Sequence, residues 1–358
     1  MSEAVVVGGG IAGGAVATLL ARAGARVTLL EREREPVDKV CGEFLSGEAQ
    51  RTLASLGVDL DSLGASRIAT LRLASGDRMV EAPLPFVARG LTRRRLDAAL
   101  LDRAAGAGAR VERGVTVRVL AGGRLDTTAG TLAPATLLLA SGKHEVRGAT
   151  RTSAGCDTGY VGFKTHWRPT PRARAELRGM IDVVLFDGGY AGLQLVEEGL
   201  ANLCLLVTRE RLDRSGGGWA GLWEWLVREP RLASLLGDAE QVTPRPLAIS
   251  GVPYGFVHRG ADGPFRLGDQ AAVIPSFCGE GMAIALRSAT IAASVLAGGG
   301  APGDHHARLR REVLPRVRLA MAVQRLGQRP SSRFLLWHAL RLAPSLATRV
   351  ARLTRVPQ

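Results

Sequence analysis

"AVVVGGGIAGGAVATLLARAGARVTLLERE", residues 4–33, is the stretch on which the fold turns. Ala4–Val7 is a short β-branched run suited to a strand buried on both faces of a parallel sheet. Gly8, Gly10 and Gly13 then spell G-x-G-x-x-G and open a helix of small and apolar residues that runs to Arg22. Gly24 ends that helix, and residues 26–30 read as a second strand finishing at Glu31. Each part has a physical reason. Gly8 permits the tight turn, Gly10 lets backbone approach a pyrophosphate, and Gly13 lets helix and strand pack closely. The free N–H groups of the first turn, at Ile11 and Ala12, face phosphate with the positive end of the helix dipole. Glu31, with Arg32 beside it, sits where an acid accepts hydrogen bonds from a ribose. The unit predicts dinucleotide binding. The same glycine spacing recurs in "GGGWAG", residues 216–221, but charged "RERLDRS" precedes it and no acid-tipped strand follows. That segment reads as a loop leading into a helix.

A chain of 358 residues accommodates two domains sharing an interface, and 46% hydrophobic residues supply a core for both. No apolar run reaches the ~18–20 residues that span a bilayer. No basic region precedes the N-terminal apolar stretch, so a secretory signal is not expected. Cys41, Cys156, Cys204 and Cys278 are widely spaced and form no metal-ligand pattern, so no metal is expected and the expected compartment is cytoplasmic. The formal charge of +14 invites a nucleic-acid reading, but its distribution argues otherwise. Residues 305–358 hold twelve arginines against one acid, Glu312, a net +11 that leaves only +3 to the rest. That tail lacks aromatic interleaving and any nucleic-acid-binding module, so no nucleic-acid partner is expected.

Two further segments bear on the cofactor. "FRLGDQAAVIPSFCGEGMAIALRSATIAASVLAG" opens with a short strand, places Gly268 and Asp269 at its end, and starts a long small-residue helix near Gly281. An acid at a strand end beside a second helix N-terminus suits a long cofactor, with hydroxyls for the acid and phosphate for the amides. The segment resembles the GD motif of FAD-containing oxidoreductases of the p-hydroxybenzoate hydroxylase fold. That resemblance implies that Asp269 contacts the ribityl chain and that Pro275, Gly279, Gly281 and Met282 approach the flavin ring. "LTRRRLDAALLDRAAGAGARV" resembles the same superfamily's R-x-x-L-D helix start, which implies that Arg93 reaches the FAD phosphates or ribityl. "ATLLLASGKHEVRG" resembles its strand and small-residue turn, ending at Ser141 and Gly142 beside FAD. The implied fold is α/β: a Rossmann-type FAD-binding domain with an inserted antiparallel β-sheet substrate domain and a C-terminal helical cap.

Within that superfamily, "KVCGEFLSGEA" (residues 39–49) together with "PSFCGEGM" (residues 275–282) is most similar to the geranylgeranyl reductase-related branch. The resemblance places Cys41, Gly42 and Cys278 beside the isoalloxazine. A thiol there could tune the flavin or pair with the other cysteine, and small apolar packing explains both positions equally well. Glu43 and Glu280 are the stronger polar candidates, as proton donors or as partners for loop backbone. An acid close to a reduced flavin is expected to have a raised pKa. Ser46 and Glu48 alternatively mark an ordinary helix start there. His144 and His166 are lone histidines without a metal pattern and carry no assignment. The halogenase pattern G-W-x-W-x-I-P is absent, since "WEWL" at residues 223–226 is a different arrangement.

The expected domains are 1–155 with 260–300 for FAD, 156–259 for substrate and 301–358 for the helical cap. The middle segment reads as a β-meander with G-G-Y and E-E-G turns. Its alternating Val183, Leu185, Leu193, Leu195, Leu203 and Leu205 either face a substrate cavity or pack the sheet. The tail carries helical apolar spacing at Leu335, Leu336, Ala339 and Leu342 before Pro344. It reads as a packed cap with a basic face or as a peripheral contact with an anionic membrane. The leading functional reading is an FAD-dependent oxidoreductase that transfers hydride to an activated double bond of a lipophilic small molecule, polyketide- or isoprenoid-like. NAD(P)H would dock transiently as reductant. The alternatives are an FAD-dependent monooxygenase acting on an aromatic or polyketide intermediate, and a non-catalytic FAD-binding protein.

Overall fold

Val5 and Val7 point to one side of the first strand and Ala4 and Val6 to the other, and both sets are buried in separate apolar clusters. This is the mark of a strand covered on both faces. The computed structural model describes residues 3–152, 154–328, 337–339, 341–343 and 345–357. Its parallel sheet has five strands in the order Phe265–Arg266, Thr136–Leu139, Ala4–Val7, Val27–Glu31 and Arg110–Arg113. Ala4 is in register with Val27 on one side and Thr136 on the other. The helices Ile11–Arg22, Arg93–Gly106 and Gly281–Ala297 pack together, the first between the other two, and their apolar residues share a cluster with Ala4, Val6, Leu29 and Leu138. On the opposite face Val5, Val7, Leu30 and Leu139 meet Leu125 and Leu120 of a three-stranded antiparallel sheet. Full burial of each such side chain contributes about 1.5–3 kcal/mol.

The second layer is a large sheet. Its strands run Glu240–Gln241, Tyr160–Arg168, Ala201–Thr208, Gly189–Leu195, Gly179–Phe186, Ser66–Ser75, Arg78–Gly90 and Phe44–Leu45, with Leu247–Ser250 also paired to Tyr160–Arg168. The expected meander holds from Gly179–Phe186 through Ala201–Thr208. Tyr160–Arg168 departs from it, pairing with Ala201–Thr208 because the helix Pro171–Leu177 carries the chain across the sheet first. The sheet also draws strands from both sides of the expected boundary at residue 155. Ser66–Ser75 lies parallel to Gly179–Phe186 and antiparallel to Arg78–Gly90. The turn signal "SGD" between alternating runs at residues 66–90 marks this hairpin in the sequence.

Each face of this sheet has its own chemistry. Leu193, Leu195, Leu203 and Leu205 are buried with Phe163 and Trp167 beneath the helices Trp219–Leu226 and Pro230–Leu236. Trp167 stacks on Trp223 with ring centroids 4.5 Å apart. These leucines therefore pack the sheet and line no substrate cavity. The "WEWL" tryptophans belong to this outer core as well.

The long helix Pro302–Gln328 begins the C-terminal region, and Ser345–Leu353 forms a further helix against the strand Arg78–Gly90. Leu335, Leu336 and Pro344 lie outside the described residues. The start of the long helix docks on the parallel sheet through histidines. His305 Nε2 donates to the Arg266 carbonyl at 2.8 Å, and His306 Nε2 accepts from the Arg266 N–H at 3.0 Å. Burial drives both His305 and the neighbouring His258 down from 6.5 to about 4. The unfolded chain thus binds protons between about pH 6.5 and 4 that the fold refuses. Stability is therefore complete above that window and falls as pH drops through it, by on the order of 2–3 kcal/mol for His305 alone. Denaturant titrations at pH 7 and pH 4.5 are expected to show the loss, and His305→Gln is expected to flatten it.

Candidate active site

Gly13 is where sequence and packing meet most tightly. A Cβ there would lie 1.8 Å from the Gly8 carbonyl oxygen, and one at Gly8 would lie 2.5 Å from the Ala140 oxygen. Gly8 also has φ +101°, a conformation open chiefly to glycine. The helix Ile11–Arg22 therefore starts hard against the strand tips, and no side chain caps it. Its first-turn N–H groups stay available to an anion. Two cations flank them. A Cβ at Gly10 would sit 3.3 Å from Arg93 Nη2 and 3.8 Å from Lys39 Nζ. Asp97 holds both, accepting from Arg93 Nε and Nη2 at 2.9 Å each and from Lys39 Nζ at 2.8 Å. Burial, then the charges of Arg32, Lys143 and Lys39, pull the His144 pKa down, so the positive field extends along this edge. Glycine-lined backbone, an uncapped helix and paired cations form a cradle that fits a pyrophosphate.

Glu31 closes the turn, accepting from Gly9 N–H at 2.6 Å and from Glu33 N–H at 3.0 Å. At the neighbouring strand ends, Ser141 Oγ donates to the His144 carbonyl and the Gly142 carbonyl accepts from Gln270 Nε2, both at 2.8 Å. Asp269 lies 3.4 Å from Lys143 Nζ. Gly268 has φ +55° and packs on Ala12 and Ala285, bringing the second helix, Gly281–Ala297, beside the first. That helix too has no side-chain cap. Ile11, Ala12 and Met282 are buried where the two helices begin.

The loop from Lys39 to Phe44 is pinned from the polar face of the large sheet. Glu43 is 0% exposed and takes φ +56°, rare for a residue with a side chain. Its Oε1 accepts from the Arg93 N–H at 2.8 Å and from Lys164 Nζ at 2.5 Å, and its Oε2 lies 2.8 Å from His166 Nε2. The register explains the convergence. Lys164 and His166 are two apart on one strand, so they share a face. His166 pairs with Asn202, which pairs with Gln194 on the next strand. Asn202 and Gln194 both donate to the Gly42 carbonyl, at 2.9 and 2.8 Å. A strained backbone held by this many partners is characteristic of functional loops. Asp38, Glu43 and His166 bring potential metal-ligand atoms within 4.8 Å of one another. The Lys164 ammonium, 3.5 Å from Asp38, already supplies the positive charge there.

The two glycine-glutamate loops meet. A Cβ at Gly279 would lie 2.7 Å from the Phe44 ring, and Gly279 has φ +66°. Beyond that contact their acids differ. Glu280 faces the C-terminal tail, accepting from Arg355 Nη1 at 2.5 Å and from the Val356 N–H at 3.0 Å. Burial pushes Glu280 up to about 7, and Arg355 offsets it only in part. Pro275 opens the short turn Ser276–Cys278, where Ser276 Oγ bonds the Tyr254 hydroxyl at 2.9 Å. The cysteines divide by environment. All four are free thiols. Cys278 is buried beside Arg355 and Glu280, and burial holds its thiol well above the ordinary range, which suppresses a nucleophilic thiolate. Cys41 instead sits by Arg93, and its sulfur accepts the Glu43 N–H at 3.4 Å.

Lys39, Lys164, His166, Gln194 and Asn202 are site residues that the sequence reading missed. "GFKTHW" did carry a signal, since two polar residues at a two-residue interval interrupt an apolar strand.

A family described as pyridine nucleotide-disulphide oxidoreductase matches residues 2–97. A menaquinone reductase of Mycolicibacterium smegmatis is 28% identical over 324 residues, covering 84% of this chain and 77% of that protein. The chain is an FAD-dependent oxidoreductase. A squalene monooxygenase of Rattus norvegicus is 33% identical to this flavoprotein over 86 residues, which are 24% of this chain and 15% of that enzyme. Among solved structures, the flavin-dependent brominase Bmp2 superposes with a TM-score of 0.78 at 16% identity, covering 99% of this chain and 93% of its own. The probable FAD-dependent monooxygenase pqsL from Pseudomonas aeruginosa superposes at 0.71 with 19% identity, over 94% and 99%. The fold is that of FAD-dependent halogenases and monooxygenases, with the Rossmann-type core expected from residues 4–33.

Proposed function

We propose that this flavoprotein reduces a carbon–carbon double bond in a lipophilic molecule of the isoprenoid-quinone class, with NAD(P)H docking transiently as reductant. The observation that carries this reading is the alignment along most of both chains with a protein named menaquinone reductase. In this reading Arg93, Lys39 and the Gly8–Gly13 turn hold the FAD pyrophosphate, and Glu31 and Asp269 hold its hydroxyls. Bound FAD supplies hydride chemistry. Reducing a double bond also takes one proton, added to the carbon next to the one that receives hydride. Burial pushes Glu280 up to about 7, but its two oxygens accept from Arg355 and from the Val356 N–H, so like Glu43, paired with Lys164, it holds its loop, and the proton comes from water.

A second reading, oxygen transfer, draws on the short likeness to squalene monooxygenases and on the fold shared with pqsL. One experiment separates the two. The FAD-loaded protein is reduced without oxygen and mixed with menaquinone and short-chain isoprenoid quinones, and flavin absorbance and product mass are followed. Anaerobic reoxidation with a product that stays heavier by two hydrogens after air has returned its quinol ring to the quinone is expected. A product that gains an oxygen atom, and forms only when air is admitted, would replace the proposal with the second reading.

A further inference from the structure

We propose that the C-terminal helix Ser345–Leu353 and the edge of the strand Arg78–Gly90 form a docking face for an anionic lipid membrane. The helix is oriented against the usual rule for a surface helix. Ala347, Thr348, Val350 and Ala351 are its less exposed residues, none of them a leucine, and Thr348 Oγ1 donates to the Pro83 carbonyl at 2.9 Å. Its leucines face outward: Leu346 is 36% exposed and Leu353 64%, and Leu342 just before the helix is 87% exposed. Met79 and Val87 of the adjoining strand are exposed as well, at 55% and 39%. These five account for most of the large exposed apolar side chains among the described residues; Leu132 and Leu326 are the others. Met79 lines a surface cleft together with Arg341, which joins the exposed strand edge to the leucine-bearing segment, and such grouping distinguishes an interaction surface from scattered exposure.

Charge identifies the occupant. Arg341, Arg349 and Arg352 are exposed among the leucines, Arg78 lies beside Met79, and no acid follows Glu312 in the sequence. The nearest acid of the strand, Glu81, is paired with Arg72 at 2.8 Å. Leucines interleaved with arginines on one side of a helix suit the headgroup boundary, where the apolar tips enter the acyl region and the guanidinium groups stay with phosphate. No helix among the described residues is long and apolar enough to cross a bilayer, so the contact is peripheral. The face is also tied to the flavin loops. Two residues past the helix, Arg355 donates to Glu280 and, at 2.8 Å, to the Cys278 carbonyl. Docking there would hold the site close to a lipophilic substrate, although the surface argument stands without any choice of reaction.

The test is co-sedimentation of the FAD-loaded full chain with vesicles of phosphatidylglycerol and phosphatidylcholine, against phosphatidylcholine alone, at low and high salt. Binding to the anionic vesicles alone, weakened by salt, is expected. Reversing Arg341, Arg349 and Arg352 to Glu is expected to lower it about a hundredfold or more. Leu346→Ser with Leu353→Ser is expected to weaken it too, with the FAD absorbance and melting temperature of both variants unchanged. Absence of binding, equal binding to neutral vesicles, or leucine variants that bind like the parent would overturn the proposal. So would light scattering that shows these leucines joining two copies of the chain.

Discussion

Gly13→Ala is expected to purify with little or no FAD and to unfold more easily than the parent. The added Cβ would stand 1.8 Å from the Gly8 carbonyl oxygen, far inside contact distance, and its nearest neighbours are backbone atoms that have no rotamer to retreat into. Either the helix Ile11–Arg22 lifts from the strand tips or the glycine turn opens, and both displace the N–H groups that face phosphate. Overpacking of this kind costs about 1–3 kcal/mol in stability. Gly106→Ala is the matched control, because nothing lies within 4 Å of the Cβ it would add and it ends a helix instead of starting one. The ratio of flavin to protein absorbance and the denaturation midpoint read both effects. A Gly13→Ala protein with full flavin would mean that the turn does not hold the cofactor.

Lys164→Met is expected to be the most destabilising single change at the site, by about 3 kcal/mol or more. It leaves Glu43 fully buried without the ammonium that contacts its Oε1. His166 and the Arg93 N–H remain as partners, but neither is a permanent charge. Glu43→Gln combined with Lys164→Met is expected to recover much of the loss, since no lone charge then stays buried. Comparison of the denaturation midpoints of the singles and the double isolates the coupling. A Lys164→Met protein as stable as the parent would show that the pair does not hold the loop.

These two predictions rest on features of different legibility. The glycine turn was readable because its requirement is local: strand, turn, helix and terminal acid lie within residues 4–33, and the chemistry of phosphate contact dictates the residue types and their spacing. The helix starts at Arg93 and Gly281 were readable for the same reason, as were Ser46 at the N-cap and Glu48 in the first turn of Gly47–Ser55. The leucines of the large sheet were ambiguous because alternation shows that a strand has two faces without showing which face is covered by helices. The acids were ambiguous for a related reason. Glu43 and Glu280 sit in near-identical C-G-E contexts, yet one meets a lysine 121 residues away and the other an arginine 75 residues away.

By itself, then, the sequence determined the strand–turn–helix of the nucleotide-binding core and the arginine-rich character of the tail, because short-range sterics and hydrogen bonding leave few alternatives for such patterns. Only the tertiary structure decided what those loops do electrostatically. Strand register brought His166, Asn202 and Gln194 into one row, with Lys164 on the same face, under the Lys39–Phe44 loop. Docking of the last residues placed Arg355 on Glu280 and turned the leucines of the final helix outward. Burial and charge pairing depend on which surfaces meet, and that is settled by the packing of distant segments.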